Sequence, residues 1–236
     1  MSAPIPDEAS MPRQLPAVTF EPGDKLTPPD GNVQCLIALT EGWAARTVAA
    51  APGETRISGL FLKGELCDPL WLAGQAREPV IALTRVRGIA APLDDVNLLM
   101  ARKRLMQRKI FADIAQRSLS SAKWIASLGR LSAMQRVAYV LCDLASRLGH
   151  RPGRRALRFR VPLNDAHLAD IAGVTVGHLR RAVTELRACD LATLARQTIQ
   201  INDLGRLERV SQFRATQPGA EHRTAPNWPS ELMTEL

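Results

Sequence analysis

The chain has 236 residues, of which 46% are hydrophobic and 23% are charged, a balance that excludes wholesale disorder. This length allows two modest domains, each with its own core. No apolar run approaches the roughly 20 residues of a membrane span, and the N-terminus carries prolines and acids where a signal peptide has a basic start. We therefore expect a cytoplasmic protein with no membrane partner.

The charge is distributed unevenly along the chain. The formal net charge is +8, but residues 1–93 carry −2 and residues 94–236 carry +10. A one-sided basic field attracts polyanions without choosing among nucleic-acid sequences. The C-terminal part is therefore a candidate for nucleic-acid binding, with a generally basic surface as the alternative.

The four cysteines give no metal or disulfide pattern. They are far apart and form no Cys-x-x-Cys pair, so neither a disulfide framework nor a zinc site is expected. They are Cys35, Cys67, Cys142 and Cys189.

The N-terminal part is predicted to be all β. Residues 1–17 are Pro-rich and predict a flexible arm. From residue 18 to residue 92, short apolar stretches alternate with turn signals such as Pro22-Gly23, Pro52-Gly53 and Lys63-Gly64. Such spacing is typical of a small barrel or jelly-roll-like double sheet. We predict a β-roll over 18–92.

A long helix is predicted over residues 93–128. Leu93-Asp94-Asp95 places acids at its start, and neither Gly nor Pro occurs before Gly129. Leu99, Met106, Ile110 and Ile114 form an apolar stripe at helical spacing. A helix this long needs a partner for its stripe. We favour a dimerisation seam formed by these four residues over two consecutive core helices within one monomer.

The segment 164–188 predicts a helix-turn-helix. Asn164 is suited to cap the first helix, and Thr175 the second. Gly173 supplies the turn conformation that a side chain resists. The apolar positions of both helices are assigned to packing; they include Leu168, Ile171, Val174, Leu179, Ala182, Val183 and Leu186.

Once these positions are buried, the outward face of the second helix follows. It comprises Val176, Gly177, Arg180, Arg181, Thr184 and Arg187. Arginine reads guanine through paired bonds to O6 and N7, so Arg180 and Arg181 are candidates for base contact, with solvated surface charges as the alternative. Thr175 and Arg187 are better placed for phosphates.

A two-stranded wing is predicted after the second helix. Leu191–Leu194 and Thr198–Ile201 alternate apolar with small or polar residues around a tight link, and Arg196 at its tip suits a phosphate. The winged domain is predicted over 129–211, followed by a tail over 212–236. The full set of candidate DNA-binding residues is Asn164, Thr175, Val176, Gly177, His178, Arg180, Arg181, Arg187 and Arg196.

The order of these parts resembles the Crp/Fnr family of bacterial regulators over about residues 18–212. The likeness depends on Gly64-Glu65-Leu66 in the roll, on Leu128-Gly129-Arg130 with Gln135-Arg136-Val137 after the long helix, and on the Ala169–Leu186 motif. The resemblance implies an α+β fold and a homodimer in the bacterial cytoplasm on a pseudo-palindromic DNA site with half-sites one turn apart. It also admits RNA polymerase as a partner, and it makes His178 a shared position of one subgroup.

The chain departs from this family in both halves. Many members carry a Glu where Gly177 stands, and that Glu reads the cytosine side of a common half-site. In the roll, Glu65, Cys67 and Arg77 are candidate effector contacts, but Glu78 and Pro79 follow where cyclic-nucleotide binders have a hydroxyl.

Cofactor chemistry is not favoured by these residues. Pro69 stands where the haem-binding member has a histidine beside the position of Cys67, and the cysteine cluster of iron–sulfur sensors is absent. Neither a cyclic nucleotide, a haem nor an iron–sulfur cluster is expected, and the effector stays unknown. Cys67 and Cys189 are candidate redox thiols, with small buried hydrophobes as the alternative.

The resemblance implies a sequence-specific transcription regulator, and three other functions are alternatives to it. One is a degenerate sensor scaffold that acts through protein contacts, and another is a plasmid-type winged-helix initiator, which does not explain the Gly-Glu-Leu roll. The third is an enzyme. No Gly-x-Ser-x-Gly, Walker loop or His-Glu-x-x-His occurs, and the four histidines lie outside the roll, so we expect no catalysis.

Overall fold

The structure, a computed structural model, describes residues 15–51, 54–74, 76–150, 156–214 and 227–235. The first 14 residues of the predicted arm lie outside the described residues. The fold is α+β, as the sequence predicts. An N-terminal roll of two antiparallel sheets is followed by two consecutive helices and a winged domain.

Among its described residues, the roll has seven short strands and one 3-10 helix. One sheet has the order β1-β7-β2-β5 and the other the order β4-β3-β6. Leu36, Leu39 and Leu66 are fully buried between the sheets, together with Trp71. The elements are β1 (Ala17–Phe20), β2 (Cys35–Glu41), β3 (Ala44–Ala51), β4 (Glu54–Phe61), β5 (Leu66–Cys67), the 3-10 helix Pro69–Ala73, β6 (Val80–Ala82) and β7 (Val86–Pro92).

The predicted helix over 93–128 is interrupted. It consists of α1 (Leu93–Arg102) and α2 (Arg104–Leu128), separated at Lys103, whose φ of −118° and ψ of 93° are extended. The Lys103 N–H still donates to the Leu99 carbonyl at 2.8 Å, and the Lys103 carbonyl accepts from the Gln107 N–H at 3.1 Å, so hydrogen bonds continue on both sides of the break. Neither Gly nor Pro marks this position, which is why the sequence pattern did not show it.

The apolar stripe predicted to form the dimer seam packs inside the monomer instead. Leu99, Met106 and Ile110 are buried against the roll, and Ile114 is half-buried beside them. These four residues therefore close the core of their own roll and leave no face for a partner. Other large apolar side chains of the same helices are exposed, on more than one side of α2; they are Leu98, Leu105, Phe111, Leu119, Ile125 and Leu128.

The winged domain starts at α3 (Ala133–Arg147), which has a capping box between Ser132 and Gln135. The helix-turn-helix follows as α4 (Asp165–Ile171) and α5 (Val176–Ala188). The predicted two-stranded wing is a three-stranded sheet of order β8-β10-β9, because β8 (Leu157–Arg160) pairs with β10 (Thr198–Ile201) beside β9 (Ala192–Ala195). The domain ends with α6 (Leu204–Ser211).

The segment predicted as a tail includes a further helix, α7 (Trp228–Glu235). Trp228 and Leu232 are fully buried against the roll, and the Trp228 N–H donates to the Gly64 carbonyl at 2.9 Å. Lys103 and Lys109 pair with Glu235 and Glu231 on its outer side. The polar residues that precede this helix hid its two apolar anchors from the sequence analysis.

The winged domain packs on the roll of the same chain. One apolar cluster joins Trp43, Leu60 and Leu62 of the roll to the helices of the winged domain. The two domains therefore share a continuous core. Within the described ranges, no helix is both long enough and apolar enough to cross a bilayer.

Candidate nucleic-acid interface

Local hydrogen bonds set the start of both helices of the reading motif. The Asn164 side chain accepts from the His167 N–H at 2.8 Å and caps α4. The Thr175 hydroxyl accepts from the His178 N–H at 3.2 Å and caps α5. Gly173, between the two helices, has a φ of 62°, the left-handed conformation that favours glycine. The caps and the turn stand where the sequence predicts them.

The inner face of α5 is buried in the core of the winged domain. Leu179, Ala182 and Leu186 are fully buried in the core of the winged domain. Because a helix presents positions three and four apart on the same side, burial of these residues turns the intervening ones outward. Gly177, Arg180, Arg181, Thr184 and Arg187 are exposed in consequence.

Val176 does not belong to this exposed face. It is half-buried and packs against the core of the winged domain, although the sequence analysis placed it on the outward side. Val176 precedes Leu179 and Val183 by three and seven positions, so it lies on the same side of α5 as these packed residues. Gly177 lies next to it in open space, and the nearest atom to a Cβ built there is the Thr175 hydroxyl oxygen at 3.9 Å.

The two adjacent arginines differ in their surroundings. The Arg180 Nε donates to an Asp165 carboxylate oxygen at 3.1 Å, which links α5 to the first turn of α4. Both side chains of this pair are largely exposed. No ion pair is found for Arg181 among the residues that the structure describes. Arg181 is therefore the freer of the two guanidinium groups, and it lies beside Thr184 and Glu185 in a shallow surface groove.

His178 is held by the cap of its own helix. Its Nδ1 lies 2.9 Å from the Thr175 hydroxyl oxygen, so one ring nitrogen is occupied while the side chain stays exposed. Thr175 in turn is used by both the backbone and the imidazole of His178. These two residues form one unit at the N-terminus of α5, where backbone N–H groups favour an anion.

The hairpin turn of the wing carries one more exposed arginine. Arg196 and Gln197 join β9 to β10 with φ values of 46° and 60°. Two successive positive φ values define the type I′ turn of a tight hairpin, here made without glycine. Arg196 is exposed at the tip of this turn.

The candidate effector residues of the roll are not assembled as a free ligand site. Glu65 is buried, and its carboxylate is paired with Arg147 of α3 at 2.8 Å. Burial opposes ionisation of Glu65, but Arg147 and Arg117 outweigh it and hold the pKa of this carboxyl below its ordinary value. Arg77 is exposed and is not among the described residues that line the cavity beside Glu65.

That cavity has a volume of about 1040 Å³ and lies between the roll, α2 and α3. Trp124, Tyr139 and Phe213 form an aromatic wall, in which Tyr139 contacts both other rings at centroid distances of 5.2 and 5.0 Å. The cavity borders both the roll and the winged domain. A molecule large enough to fill the cavity would contact both.

The cysteines fall into two classes. Cys67 is fully buried, and desolvation together with the neighbouring Asp68 raises the pKa of its thiol well above the ordinary range. Burial raises the pKa of Cys142 to about 12. Since the thiolate is the reactive form, neither residue is suited to redox sensing, whereas Cys189 at the end of α5 is exposed.

Sequence reasoning missed the partners that other elements supply. Asp165 was not recognised as the partner of Arg180, and Arg147 and Arg117 were not recognised as partners of Glu65. The exposed stripe of α1 and α2 carried a readable signal, because Leu98, Leu105 and Leu119 recur at multiples of seven. The ion pairs carried none, since their members are far apart in sequence.

Residues 135–210 match the family model described as a Crp-like helix-turn-helix domain. Over 202 residues the chain is 23% identical to the anaerobic regulatory protein of Haemophilus influenzae, covering 85% of this chain and 75% of that relative. The matched domain begins in α3 and ends in α6. It therefore contains the whole reading motif and its wing.

Solved structures share the fold over most of the chain. FixK2 from Bradyrhizobium japonicum has a TM-score of 0.73 at 17% identity, with 86% of this chain and 100% of that chain covered. A CooA mutant from Carboxydothermus hydrogenoformans has a TM-score of 0.66 at 15% identity, covering 84% and 88%. A regulator of the CRP/FNR family from Thermus thermophilus has a TM-score of 0.61 at 20% identity, covering 84% and 100%.

Proposed function

We propose that this chain is a transcription regulator of the Crp/Fnr type that binds DNA as a dimer, and that its two α5 helices enter successive major grooves of a pseudo-palindromic site. The observation that carries this proposal is the exposed face of α5, where Arg181 is unpaired among the described residues and Arg180 lies beside it. Guanidinium groups on a helix of this kind read guanine. Arg187, Arg196 and the Asn164 and Thr175 helix starts then bind phosphates.

We place the dimer seam on the exposed face of α1 and α2. Leu98 of α1 and Leu105 and Leu119 of α2 are separated by multiples of seven residues, and small exposed residues lie among and after them, namely Ala101, Ala112, Ala115, Ala122 and Ala126. Every one of these residues is exposed in the monomer. A stripe of alternating large and small apolar residues suits close packing of two parallel helices. The seam thus uses the helices of the predicted segment 93–128, but not the residues first assigned to it.

The remaining parts have roles that follow from this arrangement. Residues 18–92 serve as the sensory domain, residues 93–128 as the dimerisation segment and residues 129–211 as the DNA-binding domain. The signal that the roll senses is unknown. RNA polymerase is the second macromolecular partner we propose, and the bacterial cytoplasm is the proposed location.

Selection from a random oligonucleotide pool tests this proposal. The purified chain should enrich two inverted half-sites whose centres are about one helical turn, roughly 10 base pairs, apart. Enrichment should persist in moderate salt with unrelated competitor DNA, because phosphate-only binding is lost there. If no sequence is enriched above the input pool, or only a single unpaired motif is found, the proposed mode of binding is wrong.

A further inference from the structure

One carboxylate of the roll is the meeting point of three elements. The Glu65 side chain receives Arg147 Nε at 3.1 Å on Oε1 and Arg147 Nη2 at 2.8 Å on Oε2. Arg117 of α2 lies 3.5 Å from Oε2. The dimerisation helix and the first helix of the DNA-binding domain therefore meet at the same buried group of the sensory domain.

The geometry of this junction is directional. The two Arg147–Glu65 bonds form a fork, which fixes the plane of the guanidinium group as well as its distance. Arg147 Nη2 also donates to the Leu60 carbonyl at 2.7 Å, and the Leu62 N–H donates to Glu65 at 3.1 Å. Both ends of the fork are thus anchored to the backbone around the end of β4.

The apolar contacts around this junction do not by themselves fix the rotation of the winged domain relative to the roll. Leu60 and Leu62 pack against the helices of the winged domain in one apolar cluster. Apolar burial holds two surfaces together but is non-directional, so it permits small rotations that preserve the buried area. A forked ion pair inside that interface selects one rotation.

A second contact lies at the reading motif itself. Asp170 of α4 accepts from the Ile57 N–H at 2.6 Å and pairs with Arg56 at 3.2 Å. The open edge of β4 therefore binds the helix that precedes the turn. Together with the Glu65 junction, it attaches the winged domain to β4 at two places, near the middle and at the end of the strand.

We propose that the Glu65–Arg147–Arg117 junction is the positioning element that sets the angle of each reading head to the dimerisation helix, and thereby the half-site separation that the dimer accepts. This inference rests on the proposed function, because half-site separation has meaning only for a dimer on a two-fold site. Glu65 and Arg147 act through α3 and do not touch DNA.

The test is a set of DNA duplexes in which the optimal spacer between half-sites is lengthened or shortened by one base pair. The wild-type dimer should bind these variants at least about tenfold more weakly, because one added pair rotates a half-site by about a tenth of a turn. In Glu65→Gln this loss of affinity for duplexes with an altered spacer, the spacer penalty, should fall to within about twofold. The affinity for an isolated half-site should stay unchanged. Arg147→Lys should behave in the same way, since lysine keeps the charge but cannot form the fork.

Glu21→Gln is the matched control, because Glu21 forms an exposed pair with Arg85 that joins no two domains. It should retain the wild-type spacer penalty. If Glu65→Gln and Arg147→Lys also retain that penalty, the junction does not set the separation and the inference is wrong.

A second readout avoids DNA altogether. Spin labels on the two Cys189 side chains of a dimer, with Cys35 replaced by Ser, report the distance between reading heads by pulsed electron resonance. The wild-type distribution should be narrow, and it should broaden at least about twofold in Glu65→Gln; equal widths would reject the junction. Loss of all spacer dependence in the wild type, with a narrow distance distribution, would instead reject the proposed DNA-binding mode.

Discussion

The Arg180 Nε lies 3.1 Å from an Asp165 carboxylate oxygen, so a guanidinium group on the reading face is already paired with an anion of the preceding helix. Asp165 lies in the first turn of α4, where a carboxylate is favoured by the helix dipole. DNA binding at Arg180 must therefore compete with an internal partner. Arg181 faces no such competition among the described residues.

Replacement of Asp165 by Asn should strengthen binding to the selected DNA site. It frees Arg180 and removes one charge that repels phosphate. An exposed ion pair contributes up to about 1 kcal/mol, which corresponds to a decrease in Kd of up to about fivefold. Fluorescence anisotropy at fixed salt measures this change. Glu41→Gln, which breaks the exposed pair with Arg87, is the control and should leave Kd unaltered. Weaker specific binding by Asp165→Asn would mean that Asp165 orients Arg180 for its base.

Replacement of Arg181 by Ala should remove base selectivity. A bidentate arginine–guanine contact contributes about 1–3 kcal/mol of discrimination, so the ratio of specific to non-specific affinity should fall by roughly fivefold to 150-fold. Weak binding that decreases with salt should persist, because the other basic groups are intact. Competition titrations with specific and random duplexes measure the ratio. Arg85→Ala in the roll should leave it unchanged, and an unaltered ratio in Arg181→Ala would remove this residue from base readout.

Replacement of Gly177 by Glu should add a base preference without harming the fold. The nearest atom to the new Cβ is 3.9 Å away, so the side chain has room. Removing a helical glycine should also stabilise α5 by about 0.5–1 kcal/mol. A glutamate on this face accepts from cytosine N4, so selection should return a new cytosine at one symmetric pair of positions. Gly177→Ala provides the comparison; if both variants select the same motif, the glutamate makes no base contact.

Replacement of Leu119 by Lys should convert the dimer to a monomer. Two lysines would face each other in the exposed stripe of α2, whereas the core of each roll would be untouched. Sedimentation velocity should show the monomer, with an unchanged far-ultraviolet spectrum. Ser121→Lys, also exposed on α2 but outside the stripe, should remain dimeric. A dimeric Leu119→Lys protein would place the seam elsewhere.

Ile110→Ala distinguishes the two faces of the same helix. Ile110 is fully buried against the roll, so its truncation should cost about 2–5 kcal/mol of folding free energy. Denaturant titration, at protein concentrations well above the dissociation constant of the dimer, measures this loss. If Ile110→Ala weakened dimerisation and left unfolding unchanged, the stripe first predicted from sequence would be the seam after all.

The stabilising effect of Glu65 should depend on pH in a defined direction. Arg147 and Asp143 of α3 and Arg117 and Asp113 of α2 surround its carboxylate, and the pKa of Glu65 is held below its ordinary value of 4.5. A depressed folded-state pKa stabilises the fold above pH 4.5, and this stabilisation is lost as the pH falls through the folded-state pKa. The difference in free energy of unfolding between wild type and Glu65→Gln should therefore be constant near neutrality and shrink on acidification.

Denaturant titrations at a series of pH values measure that difference. Glu21→Gln should differ little from wild type at every pH, because its partner Arg85 is exposed. A difference for Glu65→Gln that grew as the pH fell would contradict the assigned ion pair.

The reading motif can be predicted from sequence alone, because its structure depends on neighbours within a few residues. The caps at Asn164 and Thr175 bond to N–H groups three residues away, and Gly173 needs only its own backbone freedom. The alternation of buried and exposed positions on α5 follows from the helical period. The order of roll, helices and winged domain could also be predicted, because each of these parts has its own local sequence pattern.

Which face of α2 contacts the roll, and which charged side chains pair, depends instead on how the domains pack. Helices α1 and α2 carry apolar residues on more than one face, and periodicity cannot tell which face a sheet will cover. In the structure the roll covers the face that contains Met106 and Ile110. Glu65 and Arg147 are 82 positions apart, and Ile57 and Asp170 are 113 apart. Contacts at such separations depend on how whole domains pack, and packing is set by the summed fit of many side chains rather than by any local pattern.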